Sequence, residues 1–151
     1  MGNKTRAFMF IAALTFTACA VPAVSSVAQK NGPSLDASIT QMNGSWLLTE
    51  LNGKALSANI APPSLGISGI NLHGSSGCNN YFGTLSGTMA SLSFGQMGAT
   101  EMACFGDGRF VNENEYFNML ANVKSAEISD FTLSLIDAHH TKIAVFALAT
   151  D

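Results

Sequence analysis

Three cysteines, Cys19, Cys78 and Cys104, are the residues of this chain with the most specific chemistry. Cys78 and Cys104 stand much further apart than the cysteines of a Cys-x-x-Cys redox motif. If Cys19 is lipidated or removed on export, the other two remain as an even pair, and thiols of exported proteins pair as disulfides. The sequence therefore predicts a structural disulfide between Cys78 and Cys104, with a reactive thiol pair as the alternative.

The other titratable residues do not form a catalytic or metal-binding motif. His139 and His140 are neighbours in a predicted turn, where adjacent side chains seldom complete a metal site. His73 stands beside Ser75-Ser76, but neighbours in sequence do not make a triad, and the chain has no Gly-x-Ser-x-Gly motif. We therefore predict that the protein is not an enzyme and that it binds neither a metal nor a cofactor.

Charge and composition exclude two further classes of protein. Hydrophobic residues make up 47% of the chain, which is too many for a wholly disordered protein. Two of the seven basic residues, Lys4 and Arg6, lie in the first 18 residues, whereas all ten acidic residues lie beyond residue 30. The remainder, with five basic and ten acidic side chains, would repel a phosphate backbone, so we expect no nucleic-acid partner.

The first 18 residues have the pattern of an export signal. A basic start precedes the apolar run 7–18, which is too short to cross a bilayer as a permanent helix. The run ends in Thr17-Ala18-Cys19, which is similar to a bacterial lipoprotein box, although Phe16 stands where that motif prefers leucine. We predict lipidation of Cys19; the alternative is ordinary cleavage, for example after Ala28.

These features predict three segments: a signal peptide over residues 1–18, a tether over 19–41 and a folded domain over 42–151. The tether has little periodicity and is broken by Pro22, Gly32 and Pro33, so it has little apolar surface to bury. The predicted location is the bacterial cell envelope, as an outer-membrane lipoprotein facing the periplasm. A soluble periplasmic or secreted protein is the alternative.

Short strands with glycine-rich turns dominate the folded domain, and this spacing is typical of a small sheet or barrel. Asn52-Gly53 has the composition of a tight hairpin turn, and Gly74–Gly77 is predicted as a second turn. The predicted strands cover residues 44–51, 64–73, 83–86, 91–94, 126–129, 131–136 and 141–148.

One helix is predicted, over about residues 110–122. Asn112 is a suitable N-cap with Glu115 three residues later, as in a variant of the capping box. Phe117, Leu120 and Ala121 follow at helical spacing, with Tyr116 beside them. We expect this apolar stripe to cover one side or one end of the sheet. Glu113 and Glu115 lie in the first turn, where carboxylates favour the helix dipole.

Five segments, in this order, resemble the META domain of HslJ-like heat-shock and envelope proteins. They are Gly44–Leu48 with Leu51-Asn52-Gly53, Gly77–Gly83, Leu92–Gly95, Thr100–Cys104, and the stretch from Glu115 to Leu135. The resemblance covers about residues 42–149. The motif residues that carry over are Trp46, Gly77, Cys78, Asn79, Gly83, Thr100, Met102 and Cys104.

The resemblance implies an α+β domain, mainly antiparallel β, that forms a small barrel-like structure with one helix in the C-terminal third. It also implies a role in bacterial envelope stress and frequent anchoring by a lipid. It does not imply catalysis. The leading hypothesis is a non-catalytic envelope protein that acts as a tethered binding or stress-response module and supports envelope integrity or secretion. Its partners would be a membrane, through the lipid, and an unknown envelope protein.

Two alternatives belong to other functional classes. The first is a binder of a lipid or another apolar ligand inside the barrel, because small barrels can hold such a ligand. The second is an inhibitor of an extracellular hydrolase, a role open to small secreted domains with a disulfide. The side chains proposed to line an apolar cavity are Phe82, Met89, Phe94, Met97 and Met102.

Overall fold

The computed structural model describes residues 37–103 and 111–150. Within these ranges it contains two helices and ten strands. The helices are α1 (Ala37–Thr40) and α2 (Glu113–Ala121). The strands are β1 (Gly44–Leu51), β2 (Lys54–Ala55), β3 (Ser64–Ser68), β4 (Asn71–Ser75), β5 (Asn80–Thr88), β6 (Ser91–Phe94), β7 (Gly98–Ala99), β8 (Ser125–Ser129), β9 (Thr132–Ile136) and β10 (Lys142–Leu148).

The main strands follow one antiparallel path in the order β6-β5-β4-β3-β1-β10-β9-β8, and β2 and β7 pair with β1 and β5. The two ends of this path meet. The backbone N–H of Leu92 in β6 donates to the carbonyl of Lys124 at 2.7 Å, and that of Ala126 in β8 donates to the carbonyl of Met89 at 2.8 Å. The sheet is therefore a nearly closed barrel, which confirms the predicted fold class.

Apolar side chains fill the barrel interior. Buried and exposed positions alternate along β6 and through most of β1, as expected of strands with one face towards the core. A barrel of about eight strands leaves an interior just wide enough for side chains to fill. Each fully buried Leu or Phe contributes about 1.5–3 kcal/mol to folding. The most deeply buried apolar residues of the strands include Leu48, Leu65, Leu72, Leu133, Leu135 and Phe146.

The strand predicted over residues 64–73 is wrong, because this stretch forms the hairpin of β3 and β4. Ser68 pairs with Asn71, and Gly69 and Ile70 form the two-residue loop between them. Gly69 has a φ of 60°, which suits the first position of such a loop. The apolar residues change face here, from Leu65 and Ile67 to Ile70 and Leu72. A single strand covered on both faces has the same pattern, so periodicity alone does not reveal the turn.

Other turns and strands agree more closely with the sequence. β1 and β6 have the predicted bounds, and Asn52-Gly53 forms the predicted turn with φ values of 49° and 74°. The strands predicted at 126–129, 131–136 and 141–148 are confirmed to within one residue as β8, β9 and β10. The turn predicted at 74–77 is displaced, because Gly74 and Ser75 belong to β4 and the chain reverses between Ser76 and Asn79.

α2 begins after Asn112, whose Oδ1 accepts a hydrogen bond from the backbone N–H of Glu115 at 3.1 Å. This confirms the predicted N-cap. The Glu115 carboxylate does not return to the cap as in a capping box; its Oε1 accepts a hydrogen bond from Nδ2 of Asn52 at 2.9 Å. The buried face of α2 consists of Tyr116, Met119 and Leu120, whereas Ala121, predicted in the apolar stripe, is exposed.

The fold extends at least to Ala37, because Ile39 of α1 is only 2% exposed and joins the core. The end of the segment predicted as a tether is therefore ordered. Residues 1–36, which include the predicted signal peptide and Cys19, lie outside the described residues, and the predictions about them stay predictions. Within the described part of the chain, neither helix has the length and apolar character needed to cross a bilayer.

Candidate functional site

The side chain of Asn79 joins the turn before β5 to the segment after β7. Asn79 is only 3% exposed. Its Oδ1 accepts hydrogen bonds from Oγ1 of Thr100 at 2.8 Å and from the backbone N–H of Met102 at 2.7 Å. The Met102 side chain itself is 54% exposed. The family motif residues of these two segments therefore meet around one buried amide. We call this hydrogen-bonded group, together with Ser76 and Glu113 described next, the Asn79 node.

Glu113, in the first turn of α2, completes the Asn79 node. Its Oε2 accepts a hydrogen bond from Nδ2 of Asn79 at 3.0 Å, and its Oε1 accepts one from Oγ of Ser76 at 2.5 Å. Three separate segments thus meet here, and the two bonds to the Glu113 carboxylate are charge-assisted, which makes them stronger than neutral ones. Glu113 was predicted only to favour the helix dipole, so its contact with Asn79 was not foreseen from the sequence.

Two motif glycines have local steric roles. Gly77 has a φ of 107°, a left-handed conformation that side chains other than glycine rarely adopt, and it lies in the turn before Cys78. Gly83 of β5 lies under Met97, where an added Cβ would come within 2.8 Å of the Met97 Cγ. Backbone geometry therefore explains the glycine at position 77, and packing explains the one at position 83.

Cys78 is half-buried in the turn next to Asn79 and is disulfide-bonded. Cys19 and Cys104 both lie outside the described residues. The pairing of Cys78 with Cys104 therefore stays a prediction.

Replacement of Cys78 by serine is expected to lower the free energy of unfolding by about 2–4 kcal/mol, because the open chain gains conformational entropy in the unfolded state. Urea denaturation of oxidised protein measures the change. Cys104→Ser should have the same effect if the two cysteines are partners, and the double variant should add nothing further. A stable Cys104→Ser protein that keeps an oxidised Cys78 would contradict this pairing.

Tyr81 of β5 and Tyr116 of α2 form a buried pair beside the Asn79 node. Their hydroxyl oxygens are 2.8 Å apart, and the Tyr81 hydroxyl also donates to the carbonyl of Ser64 at 2.8 Å. The rings meet edge to face, with centroids 5.7 Å apart. This pair and the node together fix the position of α2 on the barrel.

Burial raises the pKa of Tyr81 and of Tyr116 above the ordinary value of 10.0. In the unfolded chain both hydroxyls lose their protons above about pH 10, whereas the native protein retains them. The unfolded state then binds fewer protons, so the free energy of unfolding falls as the pH rises above about 10.

The expected result is that the folded protein shows no tyrosinate absorbance at about pH 11 and that the signal appears together with loss of the fold. The chain has two tyrosines, so the absorbance reports on this pair. An ultraviolet pH titration followed in parallel by circular dichroism makes the measurement. Titration near pH 10 with the fold intact would contradict the prediction.

Trp46 belongs to the same family motif but lies in the barrel core on β1. It is 3% exposed, and its Nε1 donates a hydrogen bond to the backbone carbonyl of Met42 at 2.9 Å. This contact fastens the segment after α1 to the first long strand. Trp46 therefore has a packing role in the described structure.

The histidines lie in two places. His73 is exposed on β4 with its ring against Gly66, and His139 and His140 are exposed in the turn between β9 and β10. Ser76, close to His73 in sequence, has its hydroxyl bonded to Glu113 instead. Among residues 37–103 and 111–150, no group of three or more His, Cys, Asp or Glu side chains is placed to hold a metal ion.

A groove of about 500 Å³ runs along α2, and five of the residues that line it are asparagines. We call it the asparagine groove. Its polar lining consists of five asparagines and two carboxylates, and two apolar side chains contribute the rest of its wall. These residues are Asn52, Asn112, Asn114, Asn118 and Asn122, then Glu115 and Asp137, and finally Met119 and Ile143.

The two carboxylates of the asparagine groove are held by neighbouring hydrogen bonds. Glu115 accepts from Asn52, as described above. Asp137 Oδ1 accepts from the backbone N–H groups of Thr141 at 2.9 Å and His139 at 2.8 Å. The bond from Thr141, assisted by the one from His139, lowers the pKa of Asp137 below its ordinary value. This carboxylate is therefore ionised at neutral pH.

The five residues predicted to line an apolar cavity do not surround one space. Phe94 is in the core, Met89 and Met97 are half-buried, and Phe82 and Met102 are 68% and 54% exposed. A separate depression of about 450 Å³ lies between α2 and the segment from Gly95 to Ala99. Met97 lines it with Phe117 and Ala121, outside the barrel interior.

The asparagine groove was not predicted, although the sequence contains a signal for it. Asn114, Asn118 and Asn122 follow one another at four-residue spacing, which places their side chains near one side of a helix. The remaining contributors, Asn52 and Asp137, come from turns distant in sequence. The pairing of β1, β10 and β9 brings these turns together, and the packing of α2 on the barrel brings the helix to them.

Two solved structures are similar to this chain. An NMR structure of a protein from Burkholderia xenovorans aligns with a TM-score of 0.59 and 23% identity, covering 87% of this chain and 100% of that chain. A second NMR structure aligns with a TM-score of 0.53 and 22% identity, covering 70% of this chain and 89% of that one. At these identities the likeness shows a shared fold. No curated protein matches the sequence.

The family model of the META domain matches residues 37–150, a range that contains the barrel, the Asn79 node and the asparagine groove. The match covers well over half of the chain and agrees with the motif residues found in the sequence. This chain belongs to the META domain family.

Proposed function

We propose that this protein is a non-catalytic binding module of the bacterial cell envelope, tethered to a membrane through lipid on Cys19. The observation that carries the binding role is the asparagine groove, whose volume of about 500 Å³ lies in the range of small-molecule sites. The basic and apolar start of the sequence and Thr17-Ala18-Cys19 support the envelope location. The resemblance to the META domain family implies frequent lipid anchoring, and this supports the tether.

The chemistry of the asparagine groove favours binding over catalysis. Side-chain amides donate and accept hydrogen bonds but do not exchange protons near neutral pH, so they do not serve as general acids or bases. Asp137 has a lowered pKa and is engaged by two backbone N–H groups. It is therefore suited to accepting hydrogen bonds from a ligand while remaining ionised.

The position of the asparagine groove also favours binding. α2 is fixed on the barrel by the contact of Glu113 with Asn79 and by the contact of Tyr116 with Tyr81. A groove on a fixed element loses little conformational entropy when a ligand binds, which favours affinity.

The test compares variants of the full gene in a bacterial host in which its deletion sensitises cells to detergent. The double variant Asn118→Ala/Asp137→Asn should fail to restore resistance, because it removes one amide and one charge from the groove. The triple variant His73→Ala/His139→Ala/His140→Ala should restore it. Loss of resistance in a folded triple variant would favour a catalytic or metal-dependent role and contradict the proposal.

The tether is tested separately by mass spectrometry of protein extracted from membranes. The expected mature N-terminus is an acylated Cys19, and Cys19→Ser should release the protein into the soluble fraction. An unmodified soluble protein that starts at Gln29 would contradict the tether and leave the binding role unaffected.

A further inference from the structure

We propose that the asparagine groove binds a short neutral oligosaccharide, with side-chain amides and carboxylates hydrogen-bonding the hydroxyl and acetamido groups of the sugar. This inference rests on the proposed function, because it names the ligand class of the same groove. It follows from four properties of the groove: its hydrogen-bonding capacity, its charge, its apolar part and its length.

The hydrogen-bonding capacity of the groove matches a sugar. An asparagine amide offers both donors and an acceptor, and a carboxylate offers acceptors alone. A sugar hydroxyl both donates and accepts, and an acetamido group can pair with an amide through two hydrogen bonds. The side chains of Asn114 and Asn118 have no hydrogen-bond partner among the residues that the structure describes, so both are free for a ligand.

The charge of the groove selects against anions and permits neutral ligands. Its charged lining residues are Glu115 and Asp137, both negative. A phosphate, a nucleic acid or an acidic lipid headgroup would be repelled at this place. A neutral sugar would meet only hydrogen-bond acceptors in these two carboxylates, and such bonds to charged groups are stronger than neutral ones.

The apolar part of the groove fits the carbon face of a sugar ring. Met119 is buried with its edge at the groove, and Ile143 is half-buried beside it. The C–H groups on one face of a pyranose are apolar, and they can cover these two side chains while the hydroxyls reach the amides. A small polyol that lacks a continuous apolar face would leave this surface in contact with water.

The length of the groove favours more than one sugar unit. A neighbouring depression of about 250 Å³ shares Asn112 and Glu115 with the asparagine groove. It continues past Leu56 and Ile60, between β2 and the start of α2, where Lys54 also lines it. The positive charge of Lys54 lies outside the asparagine groove itself, and a neutral sugar can hydrogen-bond this ammonium group. A linear oligosaccharide can place one ring on Met119 and Ile143 and the next towards Leu56.

The experiment is isothermal titration of the full purified chain with two neutral probes, chitotriose and cellotriose. Both are linear trisaccharides, and only chitotriose carries acetamido groups. Binding of either supports the proposal, and a preference for chitotriose assigns the acetamido contact. The double variant Asn114→Ala/Asn118→Ala should weaken binding at least about tenfold, since it removes two hydrogen-bonding amides.

The matched control is Asn71→Ala, which removes an exposed amide on β4 outside the groove and should leave the dissociation constant unchanged. Circular dichroism verifies that each variant folds. Three results would overturn the inference: no binding of either probe at millimolar concentration, equal binding by the double variant, or binding of the cation spermidine in place of both sugars. If the groove variants still lose detergent resistance, the proposed function stands without this ligand class.

Discussion

Replacing Asn79 by alanine is expected to lower the free energy of unfolding by about 3–4 kcal/mol. The substitution removes the amide that bonds Glu113, Thr100 and the backbone of Met102. The carboxylate of Glu113 then loses a donor in a half-buried position, and leaving such polar groups unpaired is more costly than the net gain from an ordinary hydrogen bond. Urea denaturation followed by circular dichroism measures the loss.

The matched control for Asn79 is its neighbour Asn80, which is exposed and uses its backbone groups to bond Thr100. Asn80→Ala should change stability by less than about 0.5 kcal/mol. A loss as large as that of Asn79→Ala would show that the side-chain network is not the cause.

A second variant, Asn79→Asp, separates hydrogen bonding from packing. It has almost the same shape as Asn79 but replaces the donor to Glu113 by a second carboxylate. The two negative charges repel each other at neutral pH, and protonation relieves the repulsion in acid. The difference in stability from the wild type should therefore shrink as the pH falls from about 7 to about 4. A pH-independent difference would contradict the assigned contact.

Replacing Trp46 by alanine is expected to lower the free energy of unfolding by about 3–5 kcal/mol. The indole is 3% exposed in the barrel core, so its removal leaves a cavity and loses the hydrogen bond to Met42. Because Trp46 is the only tryptophan of the chain, its fluorescence disappears, and far-ultraviolet circular dichroism has to follow unfolding.

Two variants divide the effect of Trp46 into its parts. Trp46→Phe keeps a large ring but loses the Nε1–H donor to Met42, so it should lose less stability than Trp46→Ala. Phe131→Ala removes an aromatic ring that is 71% exposed and should change stability by less than about 0.5 kcal/mol. Equal effects of Trp46→Ala and Phe131→Ala would contradict the assigned burial.

Local signals in the sequence predicted much of the fold. The strand β1, the Asn52-Gly53 turn and the Asn112 cap depend on backbone preferences of neighbouring residues, and all three are confirmed. The strand predicted over 64–73 failed for a local reason as well. A glycine at position 69 permits a reversal, but the change of apolar face between Ile67 and Ile70 also fits one strand covered on both sides, so it does not by itself mark a turn.

The candidate sites could be predicted only in part. The motif residues Asn79 and Thr100 were singled out from the sequence, and the structure brings them together. Glu113 was given a different role, because nothing in its surroundings in sequence indicates that its carboxylate reaches Ser76 and Asn79. Contacts of this kind join residues more than thirty positions apart, and they depend on how α2 packs against the barrel.

The sequence by itself determined the family, the antiparallel barrel-like class, the helix α2 and the identity of the motif residues. The strands, the turns and the helix follow from alternation, turn residues and capping, which act over a few positions, whereas the family and its motif residues follow from the resemblance of five segments to the META domain. The tertiary structure decided what the motif residues do and where a ligand could bind. Asn52 and Asp137 belong to separate turns, which the pairing of β1, β10 and β9 brings together beside α2, so the asparagine groove exists as a site only in the folded chain.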